Sequence, residues 1–232
     1  MLGGKRVLAV ITGRGGSKGL PRKNVLELGG KPMVAWSVLA AKASRHLDRV
    51  VLSSDDPEII AAAGEAGCDV PFVRPPELAT DDASIADVVL HALDTVGESF
   101  DIVVLLQATS PLRSAADIDG TLEMLERSGA PACLTVTPPA KPPYWMVRVA
   151  ADGRMSRVVE PPGPADRRQQ LPAVYAFNGA VYAVRVDEFR LHRSFNGPGT
   201  LAYVMPPERS VDVDTRMDLL LARALMAGDD AP

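Results

Sequence analysis

The chain has 232 residues, enough for one domain with its own core and no need of disulfide staples. A net charge of -4, with 47% apolar and 23% charged residues, is ordinary for a soluble domain and argues against binding nucleic acid through bulk charge. Its two cysteines, Cys68 and Cys133, have neither disulfide nor zinc spacing and read as inert core residues. The first apolar run, residues 7–12, is too short for a signal peptide or a membrane span, so a cytoplasmic location without membrane contact is expected.

Residues 5–12, "KRVLAVIT", form a continuous apolar run, as in a strand buried on both faces. Residues 32–47 are alanine-rich and read as a helix with Pro32 in its first turn. A strand is expected at 48–55, then a helix at 56–67 with Pro57 at its start and a glycine stop. "DVPFVRP" reads as a short strand. Residues 81–96 read as a helix with acidic residues in the first turn. Further strands are expected at 101–107 and 132–137, separated by a helix at 114–129. This alternation implies an α/β fold with a parallel sheet, helices on both faces and ligands at the edge where the strands end.

At residue 138 the pattern changes to proline- and arginine-rich sequence. Within it, residues 146–159 read as a hairpin turning at Asp152-Gly153. An isolated hairpin is rarely stable, so it is expected to pack on something, such as a second subunit. "NGAVYAV" and "TLAYVMP" return to strands, and residues 210–228 read as a strand end followed by a helix.

The stretch "TGRGGSKGLPRKN" (12–24) follows the first strand and partly matches three motifs. A dinucleotide fingerprint fails because Lys18 stands where the third glycine belongs and no acidic partner follows about 20 residues on. A nucleophile elbow around Ser17 needs an immediate helix, which Gly19 and Pro21 prevent. His46 and His91 read as helix-surface residues, and His192 has no supporting context. A Walker loop fails because Lys18 is followed by Gly19. What remains is a loop whose glycines expose backbone N–H groups and whose Arg14, Lys18 and Lys23 carry positive charge, as in a phosphate cradle. The plain alternative, a solvated basic loop, does not explain its place after a buried strand.

"SVDVDT" (210–215) puts Asp212 and Asp214 on one face of a strand and Val211 and Val213 on the other. Two aligned carboxylates call for a bridging cation, and Mg²⁺ takes one or two carboxylates plus substrate phosphates. A solvated acidic strand end is the alternative. "LLQATSPLR" (105–113) brings Gln107, Thr109, Ser110 and Arg113 to the binding edge, unless they only surround a capped helix start at Ser114.

"GRGGSKGLPRKN", "RPPELATDDAS", "LLQATSPLR", "QQLPAVYAFNGAVY" and "SVDVDT" occur in one order along nearly the whole chain. In this they resemble the acylneuraminate cytidylyltransferases, and more distantly the CMP-Kdo synthetases. The resemblance implies a Rossmann-like nucleotidyltransferase fold with a mainly parallel sheet and a protruding dimerisation hairpin. It divides the chain into a nucleotide-binding core (1–137), a hairpin and dimerisation segment (138–177), and a return carrying the metal-binding strand and last helix (178–232). It implies a homodimer that joins CTP to a 2-keto sugar acid, releasing pyrophosphate, with Mg²⁺ on Asp212 and Asp214.

The resemblance also implies residue roles. Arg14, Lys18, Lys23 and Asp212 form the catalytic set, with Lys18 facing the α-phosphate. Gly13, Gly15, Ser17, Asn24, Arg74 and Ala83 complete the nucleotide site. Gln107, Ser110, Asn178 and Phe195 belong to the acceptor site, with Arg168 meeting the sugar acid across the dimer interface. Three positions depart from the pattern: Gly13 replaces an alanine, Trp145 stands near a usual basic residue, and Asn196 follows Phe195 where some members carry two aromatics. The acceptor therefore stays open among sialic acid, a deaminated sialic acid, legionaminate, pseudaminate, Kdo and a phosphonate. A silent nucleotide-binding protein would need a lost lysine or aspartate, and this chain retains them.

Overall fold

The computed structural model describes residues 2–163 and 167–228, so Pro164, Ala165 and Asp166 of the expected hairpin segment lie outside the described residues. The first apolar run forms strand β1 (Val7–Thr12). Two short antiparallel strands, β2 (Glu27–Leu28) and β3 (Lys31–Pro32), lead into helix α1 (Met33–Ala43). Strand β4 (Arg49–Ser53), helix α2 (Pro57–Glu65), helix α3 (Ile85–Val96) and strand β5 (Ile102–Gln107) follow. Then come helix α4 (Ala115–Ser128) and strand β6 (Ala132–Thr137). The hairpin is β7 (Val147–Val149) and β8 (Met155–Arg157). The chain returns through β9 (Ala176–Arg185), α5 (Val186–His192), β10 (Leu201–Val204) and α6 (Arg216–Ala227).

The central sheet has six strands in the order β10-β6-β9-β5-β1-β4. β9 runs antiparallel to both of its neighbours, and the other pairings are parallel. The sheet is thus mainly parallel, as expected. Alternate residues of β1 feed two cores. Val7, Ala9 and Ile11 pack with residues of α1, α2 and α4, while Leu8 and Val10 pack with residues of α3 and with Phe189. Helices on both faces explain why these strands read as unbroken apolar runs. A smaller core joins Val211 and Val213 to Leu219 and Ala222 of α6.

The register positions the site. Thr12, the last residue of β1, stands opposite Ser53 of β4 on one side and Gln107 of β5 on the other. The chain leaves all three strands in one row. β1 leads out to β4, and the next strand returns to the other side of β1, a topological switch of the kind where ligands bind.

Four expectations change. Helix α3 starts at Ile85 rather than at residue 81, because Ser84 caps it, so Asp81 and Asp82 precede the helix. "DVPFVRP" is not a strand: a single bridge joins Asp69 to Val51, and the Arg74 N–H donates to the Ser54 carbonyl at 2.8 Å. Residues 210–214 are irregular, yet Val211 and Val213 are buried and the Val213 N–H donates to the Thr109 carbonyl at 2.7 Å. The in-and-out alternation survives without a ladder. The first helix ends at Ala43, because Asp119 accepts from the Ser44 hydroxyl and the Arg45 N–H and pulls the chain out of the helix. His46 therefore lies beyond the helix, its ring 3.0 Å from Glu123. Cys68 and Cys133 are buried free thiols, which burial pushes up to about 12 and about 11.

Candidate active site

The loop after β1 is held close to its neighbours by backbone. The Gly13 N–H donates to the Ser53 carbonyl at 3.2 Å, and the Gly15 N–H to Asp55 Oδ1 at 3.2 Å. A Cβ on Gly15 would stand 2.6 Å from Asp56 Oδ2, and one on Gly19 would stand 2.7 Å from the Asp214 carbonyl oxygen. Both glycines are needed for close approach. Residues after Ser17 stay irregular until a single turn of 3-10 helix at Lys23–Val25, so the helix that a nucleophile elbow requires is missing.

Above this loop lies a cavity of about 480 Å³. The first loop contributes Gly13, Arg14, Ser17, Lys18, Lys23 and Asn24 to its wall. Arg74 and Ala83 come from the loops before α3, Gln107 and Thr109 from the end of β5, and Asp212 and Asp214 from the segment before α6. Residues almost 200 positions apart in sequence thus meet. Lys23 Nζ lies 2.5 Å from Asp214 Oδ1 and ties the first loop to the last segment. Arg14 lies 2.6 Å from Asp81 Oδ1, and Lys18 contacts the other oxygen of the same carboxylate. Lys18 first, then Arg14, hold the Asp81 carboxyl below the usual carboxylate range.

Several groups are placed for a ligand. Arg74 is buried and donates to the Ser53 carbonyl at 2.5 Å and to its hydroxyl at 3.0 Å. Burial lowers its pKa to about 10, so it is still a cation at neutral pH. Asn24 donates to the Arg14 carbonyl at 3.0 Å, while its own Oδ1 is buried without a protein partner. Asp212 Oδ1 is likewise buried and unpartnered. Burial, and then the Asp214 charge, raise the Asp212 pKa, against a hydrogen bond from Thr109 and the charge of Lys23.

Such an orphaned carboxylate oxygen beside a second carboxylate fits a hard divalent cation. Among the described residues no group of three or more His, Cys, Asp or Glu could hold a metal, so a cation here would need oxygens from elsewhere, such as phosphates.

Other expected site residues lie away from this cavity. Gly15 sits behind it, against Asp55 and Asp56. Ser110 is fully buried and donates to the Asn178 carbonyl at 3.3 Å. Asn178 is buried too: its Oδ1 accepts from Thr135 at 2.6 Å and its Nδ2 donates to Ser210 at 3.0 Å. Both side chains spend their polar atoms inside the fold and do not line this cavity. Arg113 also turns inward, donating to the Gln107 and Ala180 carbonyls from behind the cavity wall.

Phe195 lines a separate, largely apolar cavity of about 260 Å³ with Tyr182, Phe177 and Leu134. Ile85 lines both this cavity and the larger one, so the two are adjacent. Arg168 lines a third, proline-walled cavity of about 290 Å³, and its guanidinium donates to the Pro139 carbonyl at 2.8 Å. Asp81 escapes sequence reasoning, because "DD" before a helix reads as first-turn charge and nothing local points across to the glycine loop.

A cavity of this chemistry at the switch point of a mainly parallel sheet defines a nucleotide-handling enzyme. The chain belongs to the cytidylyltransferase family, whose model matches residues 8–190, and it is a CTP-dependent nucleotidyltransferase. It is similar to the CMP-N,N'-diacetyllegionaminic acid synthase of Legionella pneumophila, at 32% identity over 95% of this chain and 96% of that one. It is 31% identical to the N-acylneuraminate cytidylyltransferase of Escherichia coli over 94% of this chain but 51% of that one. Its fold matches that of a CMP:2-keto-3-deoxy-manno-octonic acid synthetase solved with CTP, with a TM-score of 0.71 at 21% identity, covering 96% and 98% of the two chains. No described helix is long and apolar enough to cross a membrane.

Proposed function

We propose that the enzyme joins CTP to a 2-keto sugar acid of the sialic acid type, giving a CMP-sugar and pyrophosphate. The single observation that carries this is the convergence of Arg14, Lys18 and Lys23 with Asp212 and Asp214 around one cavity, with a buried Asn24 and Arg74 on its wall. The cations suit a triphosphate, and Asn24 Oδ1 and Arg74 suit a base that both donates and accepts hydrogen bonds. Mg²⁺ on Asp212 and Asp214 would supply charge neutralisation to the phosphates.

In this reading Lys18 faces the α-phosphate, and Arg14 and Lys23 hold the remaining phosphates. Gln107 orients the acceptor so that its anomeric 2-hydroxyl attacks the α-phosphorus in line as pyrophosphate leaves. The protein contributes position and fixed positive charge. The adjacent cavity of Phe195 and Tyr182 takes an apolar part of the acceptor. Arg168 would reach a sugar carboxylate from a second subunit. The exposed apolar hairpin supports that homodimer: Val149 and Met155 face each other in register yet stand 67% and 72% exposed.

A second acceptor class, legionaminate or pseudaminate, has its own support. The legionaminic acid enzyme matches along nearly its full length, whereas the N-acylneuraminate enzyme is about twice as long. A pyrophosphate-release assay crossing CTP, UTP, ATP and GTP with sialic, legionaminic, pseudaminic and Kdo acids and a phosphonate separates these readings. Release with CTP and a nine-carbon acid is expected. Release with UTP or ATP but not CTP overturns the proposal.

A further inference from the structure

Asp81 has no part in the chemistry just described, yet its carboxylate sits among the groups assigned to the phosphates. One oxygen pairs with Arg14 at 2.6 Å and the other with Lys18. Asp81 lines the same cavity and lies on a turn in which the Ala83 N–H donates to the Thr80 carbonyl. A carboxylate presents two acceptor oxygens in a plane, much as a phosphate presents two non-bridging oxygens, and both anions suit the same guanidinium and ammonium donors.

We infer that Asp81 is a built-in stand-in for a nucleotide phosphate: it holds Arg14 and Lys18 in position in the free enzyme and is displaced when the triphosphate binds. A fixed carboxylate and an incoming polyphosphate repel at contact distance, so they do not share the two cations without cost. The turn that carries Asp81 also carries Ala83 toward the nucleoside side and ends at Ser84, whose hydroxyl caps α3 by accepting from the Ala86 N–H. Release of Asp81 therefore frees the turn that also brings Ala83 to the cavity wall as the phosphates arrive. Asp81 is a positioning residue, exchanged rather than consumed.

The inference rests on the CTP reading, and its test separates the two. Isothermal titration of the protein and of Asp81→Asn would use CTP, inorganic tripolyphosphate and cytidine. Two partly exposed ion pairs are lost on displacement, so Asp81→Asn should tighten CTP and tripolyphosphate by roughly threefold to tenfold and leave cytidine unchanged. Asp81→Glu should stay near wild type. In a Lys18→Ala background the gain should shrink, since one of the two competed cations is gone. CTP binding that Asp81→Asn weakens or leaves unchanged, in a protein whose melting temperature is intact, overturns the stand-in role. If Asp81→Asn does not fold, Asp81→Ser takes its place: tighter tripolyphosphate binding than wild type supports exchange, and equal or weaker binding refutes it. A wild type that binds no CTP refutes the functional reading instead.

Discussion

The cavity above β1 and the segment 138–177 are built in opposite ways. Around the cavity, buried anchors hold part of the wall: Arg74 is tied to Ser53, Asn24 to the Arg14 carbonyl, and Val213 to Thr109. Strand ends in register set their spacing. In the other segment, β7 and β8 pair only with each other among the described residues, and both strands are exposed throughout. The first region can be completed by one chain and a ligand. On the proposed reading, the second leaves apolar surface and Arg168 at its base to meet a second subunit. If the proposed roles hold, nucleotide and acceptor recognition draw on different physical resources.

Substitutions can break that comparison. Lys18 is mostly exposed, so Lys18→Ala should cost turnover on the order of 10²–10³-fold while the melting temperature holds. Steady-state pyrophosphate release and a thermal melt check it. If the exposed hairpin forms a dimer interface, Val149→Asp with Met155→Asp should weaken self-association by about 10²-fold, because burying charge in an apolar interface is costly, and a sizing column reads this directly. Arg168→Ala should raise the sugar-acid KM by about tenfold with the CTP Kd unchanged, and a drop in CTP affinity would merge the two regions.

The smallest effect concerns stability. Burial holds the folded Asp212 pKa above its unfolded value, so its ionised form is disfavoured in the fold. Its contribution is fully present below the unfolded carboxylate pKa and is lost as pH rises through the folded one. In metal-free protein Asp212→Asn should therefore be more stable than wild type at pH 7 and lose that advantage below the unfolded carboxylate pKa. Melts across pH with a chelator test this, and activity should fall in the same variant.

Much of the core was legible because burial on both faces writes an unbroken apolar run, as in β1 and β5. Strand direction was not, since "NGAVYAV" carries the same pattern whether it runs with or against its neighbours. The Asp212/Asp214 alternation was legible although its strand was not, because Val211 and Val213 must be buried with or without a ladder. Ser110, Asn178 and Arg113 could not be placed from the sequence for one reason: a polar residue in or after a strand can serve the ligand or the fold. Here tertiary partners such as Thr135, Ser210 and the Ala180 carbonyl decide for the fold.

On the proposed reading, the nucleotide half of the site is complete within one chain while the acceptor half is not. Calorimetric titration of CTP into the monomeric Val149→Asp, Met155→Asp variant tests this most directly. One CTP per chain is expected, with wild-type affinity and little pyrophosphate release on adding the sugar acid. Loss of CTP affinity on dissociation, or full turnover by the monomer, would contradict it.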